Sequence, residues 1–80
     1  MTIGEAVKKR IISLCKDNNI TVNKLAIISG VTQSTLNNIV SGRNNSTTIS
    51  TIKKICDGLN ITILDFFNDP LFFNLEQEIM

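Results

Sequence analysis

Val22-Asn23-Lys24-Leu25-Ala26-Ile27-Ile28-Ser29-Gly30-Val31-Thr32-Gln33-Ser34-Thr35-Leu36-Asn37-Asn38-Ile39-Val40 is the stretch on which the fold turns. A short helix, a three-residue turn containing Gly, and a second helix make a helix-turn-helix when a few steric conditions are met. Ala26 is small where the two helices would cross. Gly30 supplies a positive φ at no steric cost. Val31 covers the turn, while Leu25, Leu36 and Ile39 face a common core. Thr21 and Thr32 stand at the N-cap positions of the two helices. Each position alone is weak evidence; their agreement in one register is the signal.

The pattern continues on both sides. Thr2-Ile3-Gly4-Glu5 has the form of a capping box, and Ile3, Val7, Ile11, Leu14 and Cys15 then recur at helical spacing. This predicts a first helix from about Ile3 to Asp17, ended by Asn18-Asn19. Leu25, Ala26 and Ile28 are the apolar positions of the second helix. Gly42 is placed to end the third helix, and Arg43 to Thr47 form a polar loop. Thr48 caps a fourth helix with the stripe Ile49, Ile52, Ile55, Cys56 and Leu59. Thr62 opens a short fifth helix through Phe66 and Phe67. Asn68-Asp69-Pro70 ends it and starts another, since Pro is favoured at the first helical position. The expected architecture is all-α: a compact five-helix domain over residues 1–68, with a C-terminal sixth helix over residues 69–80.

Composition narrows the function. The chain has 80 residues, 42% apolar and 19% charged, enough for one small globular domain. It has no apolar run long enough for a membrane span, and Ser13, Lys16 and Asp17 interrupt the N-terminus too early for a signal-peptide core. A cytoplasmic protein is expected. There is no His, Trp or Tyr and the two Cys are far apart. A metal site, a cofactor or an activated nucleophile therefore lacks its usual ligands and base. Cys15 and Cys56 read as reduced core thiols. An enzyme is disfavoured.

Net charge is +1 but segregated. Through residue 54, eight basic residues oppose Glu5 and Asp17; from residue 55 on there are five acids and no base. Such a split points to one half that faces a polyanion.

These residues resemble the lambda-repressor-like, Cro-type (XRE) helix-turn-helix DNA-binding domains. The likeness lies in Lys24-Leu25-Ala26, Ser29-Gly30-Val31-Thr32-Gln33-Ser34-Thr35-Leu36, the loop Ser41-Gly42-Arg43-Asn44, and Ile49, Ile52 to Cys56 and Gly58 to Leu64. It spans roughly residues 3 to 68. It implies a double-stranded DNA-binding transcriptional regulator, a repressor, whose third helix reads the major groove. Two positions depart from the family pattern. Val22 stands where many members carry a phosphate-binding Gln, and the loop Asn45-Ser46-Thr47-Thr48 lacks the usual Pro. The departures bear on backbone contacts rather than on the fold.

The third helix supports that reading on its own chemistry. Recognition helices present N-terminal residues to base edges. Gln33 and Asn38 suit bidentate pairing to adenine, and Ser34 and Thr35 bond either way. Asn37 lies near the same face. A merely solvated face would carry Glu and Lys, which form helix better than Ser, Thr and Asn. Thr21, Asn23 and Lys24 at the second helix, Arg43, Asn44 and Asn45 after the third, and Lys54 are the phosphate candidates, with Lys8, Lys9 and Arg10 more distant ones. About 3–5 phosphates neutralised per protomer would give a moderate salt dependence.

Domains of this kind commonly bind palindromes as dimers. Leu71, Phe72, Leu75 and Ile79 would share one face of the sixth helix and form a homodimer surface, or that helix would fold back over Phe66 and Phe67. The rival function is an antitoxin or anti-repressor that masks a partner protein with this apolar helix. No small-molecule ligand is expected in so short a chain.

Overall fold

Threonine starts every α-helix among the described residues. In the computed structural model, which describes residues 1–79, α1 spans Ile3–Asp17, α2 Val22–Ser29, α3 Gln33–Val40, α4 Ile49–Leu59 and α5 Ile63–Phe67. Thr2, Thr21, Thr32, Thr48 and Thr62 are their N-caps, each in extended backbone with its hydroxyl accepting from the N–H three residues on. These are among the donors that a helix cannot satisfy internally. At α1 and α5 the capping box is complete, with Glu5 and Asp65 reaching back to the cap N–H.

Three helix ends share one device. Asn19, Gly30 and Asn60 adopt left-handed backbone, with φ of 58°, 67° and 58°. The next residue's N–H then bonds back into the helix: Ile20 to Cys15 O at 3.0 Å, Val31 to Ala26 O at 3.1 Å, Ile61 to Cys56 O at 2.9 Å. Ile20, Val31 and Ile61 each pack against the core as they do so. The turn chemistry and the hydrophobic contact thus close each helix together.

The core gathers Ile11, Leu25, Leu36, Ile39, Ile55, Cys56 and Phe66, all essentially inaccessible. Cys15 and Cys56 are buried free thiols, and burial pushes both up from the usual thiol range. α2 and α4 cross at close range. A Cβ on Gly58 would stand 2.6 Å from Ser29 Oγ and 2.9 Å from Ile28 O, so only Gly admits this crossing. It also corrects the expected face of α2: Ser29 is buried, its Oγ without a hydrogen-bond partner among the described residues, while Ile28 turns outward. Ile49, assigned to the α4 stripe, is likewise exposed.

The sixth helix does not form. Asp69 Oδ1 accepts from Leu71 N–H at 2.9 Å and starts a single 3-10 turn, Pro70–Phe72, after which the described chain is irregular. Phe72 packs on Phe67, with ring centroids 4.9 Å apart, and near Phe66 at 6.2 Å. Such edge-on aromatic contacts add to the area they bury. Leu71 and Leu75 are half-buried and Ile79 is exposed, so Leu71, Phe72, Leu75 and Ile79 share no helical face. Of the two uses expected for this segment, Phe72 takes the second: it covers Phe66 and Phe67.

Candidate nucleic-acid interface

The two ends of α3 are held by local bonds that leave its outer face free. Thr32 Oγ1 accepts from Thr35 N–H at 3.2 Å and pairs with Thr35 Oγ1 at 2.8 Å. With Thr32 Oγ1 donating to Thr35 Oγ1, the Thr35 hydroxyl keeps its own proton to donate elsewhere. At the other end Asn38 O accepts from Asn44 N–H at 3.0 Å and from Ser41 Oγ at 3.2 Å. Leu36 and Ile39 anchor the helix in the core.

The outward face is uncharged and polar. Gln33, Ser34 and Asn37 are exposed, and Thr35 and Asn38 are half-buried beside them. None of the five titrates near neutral pH, so this face keeps its hydrogen-bonding character across the physiological range. From Val31 to Thr47 the chain contains no acid and one base, Arg43. A duplex approaching α3 meets donors and acceptors without a fixed negative charge.

The expected phosphate residues divide into groups. Thr21, Asn23 and Lys24 are exposed at the start of α2, where the Thr21 hydroxyl accepts from Lys24 N–H at 3.0 Å. Arg43, Asn44 and Asn45 follow α3 in one tied loop. Arg43 Nε donates to Ser41 Oγ at 3.2 Å, and Asn44 Oδ1 accepts from Ser46 N–H at 2.9 Å. That bond uses the Asn44 carbonyl oxygen and leaves its amide protons available. Lys54 is exposed on α4, and no ion pair or hydrogen bond ties it to α3 among the described residues.

The segregated charges are partly spent inside the fold. Arg10 donates to Phe66 O at 2.7 Å and Asp65 O at 2.8 Å, and pairs with Asp69 at 3.2 Å. It clamps the end of α5, which removes it from the phosphate candidates. Lys53 pairs with Asp57 one turn on, and the N-terminal ammonium pairs with Glu76 at 3.4 Å. Lys8, Lys9, Lys16, Lys24, Arg43 and Lys54 carry no ion pair among the described residues. The sequence does hold a hint of the Arg10 role. Arg10 follows Ala6 and Val7 by one turn and precedes Leu14 by another, which places it at the border of the buried stripe.

Comparison with known proteins agrees with this geometry. Residues 10–70 match the Cro/C1-type HTH DNA-binding domain. The chain is similar to a solved structure, the crystal structure of the prophage Lp1 protein 11, with 37% sequence identity and a TM-score of 0.81 over 94% of this chain and 99% of that one. No curated protein matches it. No described helix is long and apolar enough to cross a membrane.

Proposed function

The chain belongs to the Cro/C1-type helix-turn-helix DNA-binding domains, and from that premise we propose that it is a cytoplasmic transcriptional repressor that reads an operator with α3. The helix would lie in the major groove with its N-terminal residues at the base edges. Gln33 would pair with an adenine, Ser34 and Thr35 would contact the neighbouring bases, and Asn37 and Asn38 would extend the reading one turn further. Thr21, Asn23, Lys24, Arg43, Asn44, Asn45 and Lys54 would hold the backbone on either side and set the register. The observation that carries the proposal is the charge-free polar face of α3, exposed at Gln33, Ser34 and Asn37. Solvation alone does not account for it, because Glu or Lys would serve solvent and helix better.

One such helix reads a half-site, so a palindromic operator would be held by two copies. Leu71, Leu75 and Ile79 on the C-terminal segment are the residues left to meet the second copy, Phe72 being packed on the aromatic cluster. The rival role, masking a partner protein, would, like the dimer, have to use this segment without a helix.

Mobility shift of labelled genomic fragments tests the reading, and the mass of the shifted complex counts the copies. The wild-type protein is expected to select a subset of fragments. Gln33→Ala is expected to weaken that selective complex by about 1–3 kcal/mol, with an unchanged melting temperature because Gln33 is exposed. Sequence-blind binding that ignores the substitution would refute it.

A further inference from the structure

The loop that leaves α3 is approached by a helix outside the helix-turn-helix. A Cβ on Gly4 would stand 2.8 Å from Asn45 O and 2.9 Å from Asn45 Cβ, so the first turn of α1 and the loop touch backbone to backbone. Lys8 lies one turn further along the same face of α1, and helical side chains lean back toward the N-terminus. Its Nζ accordingly lies 3.7 Å from the place a Cβ on Gly42 would occupy. Gly42 has φ +85° and directly precedes Arg43. Two cations thus flank one glycine at the exit of α3, and neither has an acidic partner among the described residues.

We infer that Lys8 is a DNA phosphate contact, supplied by α1 to the same backbone segment as Arg43 and the amide of Asn44. The inference rests on the DNA-binding reading and adds to it a residue from outside the motif. The triplet Lys8-Lys9-Arg10 then has three separate fates. Arg10 clamps the end of α5, Lys9 is exposed, and Lys8 is drawn over the loop by the close contact at Gly4. The competing account is that Lys8 complements the negative end of the α3 dipole. That account concerns stability and makes no demand on DNA.

The test is the salt dependence of binding for wild type, Lys8→Gln, Lys8→Arg and Lys16→Gln, on a selected operator duplex and an unrelated one. Loss of one phosphate contact lowers the slope of log affinity against log salt by about 0.9 and weakens binding about eightfold at about 0.1 M salt. Lys8→Gln is expected to show both changes equally on the two duplexes, Lys8→Arg neither, and Lys16→Gln, which is exposed at the far end of α1, an unchanged slope. An unchanged slope in Lys8→Gln, with or without a lower melting temperature, overturns the inference. Equal losses in Lys8→Gln and Lys16→Gln do so too, since they would report a diffuse field. Failure of the DNA-binding reading looks different: the wild type does not discriminate the duplexes and Gln33→Ala is silent.

Discussion

α3 and the segment after Asp69 begin alike and end differently. Both open on a capping side chain, Thr32 and Asp69. Both carry apolar residues at helical spacing: Leu36, Ile39 and Val40 in one, Leu71, Phe72, Leu75 and Ile79 in the other. α3, built from poor helix formers, completes eight residues, while the C-terminal segment stops after a three-residue 3-10 turn. The bonds that follow the start account for the difference. In a continued helix the Glu76 N–H would bond Phe72 O; it bonds Met1 O at 3.0 Å instead. Phe72 is held by the aromatic cluster, and Glu76 and Glu78 would lie toward the negative end of the helix, where acids are unfavourable. A cap and a stripe start a helix, and distant bonds decide whether it continues.

The comparison breaks most severely if the distant bonds are removed. Arg10→Met keeps much of the aliphatic stem but leaves Asp69 without its ion-pair partner, Phe66 O without its Arg10 donor, and Asp65 O with the Asn68 N–H at 3.3 Å alone. The guanidinium is mostly covered, with 12% of the side chain accessible. Losing hydrogen bonds from a charged group at such a site costs about 2–3 kcal/mol, which for a domain of this size lowers the melting temperature by roughly 10–20 °C. Thermal unfolding followed by circular dichroism measures it. Because Arg10 faces α5, affinity of the folded fraction for DNA is expected to stay as in wild type. A selective loss of binding with normal melting would mean that Arg10 leaves its clamp to meet phosphate.

The local counterpart is smaller. Thr32→Ala removes the hydroxyl that receives Thr35 N–H and pairs with Thr35 Oγ1. Loss of an N-cap costs about 1 kcal/mol, or roughly 4–8 °C in melting temperature, and Thr32→Ser is expected to recover most of it. Hydrogen exchange should place the damage at the first turn of α3. Equal loss of protection in α5 would show that α3 is not the locally supported unit described above.

Helix starts were legible because each is announced by a Thr before an apolar periodic run, and that chemistry is contained within four residues. Helix ends were legible at Gly30 for a similar reason. The choice between Ile28 and Ser29 was not, since the close approach of α2 to Gly58 selects the buried residue and no spacing within α2 reveals it. The clamp made by Arg10 could not be named from spacing, because its acceptors lie on α5 and beyond, far along the chain. On α3, the uncharged run from Gln33 to Asn38 could be read directly. The position of the Lys8 ammonium beside Gly42 could not, because it goes with the close approach of Gly4 to Asn45.

Acid separates the two kinds of helix start most finely. The Glu5 carboxylate is held below the ordinary carboxylate range, first by the Thr2 N–H and then by the Thr2 hydroxyl. Asp65 is held down in the same order by Thr62. Both groups bind protons less readily when folded, so the unfolded chain takes up protons first as pH falls. Their contribution is fully present above the ordinary carboxylate values and is lost as pH falls through the lower folded ones. α3 has no acid in its first turn, so the Thr32 cap does not titrate. Hydrogen exchange at about pH 3, below the ordinary carboxylate values, should therefore loosen the starts of α1 and α5 relative to neutral pH while the Thr35 N–H keeps its protection relative to the global limit. Glu5→Gln should remove the pH response at α1 alone. If α3 loosens in step with α1 and α5, the starts are coupled through the core and local capping does not govern them separately.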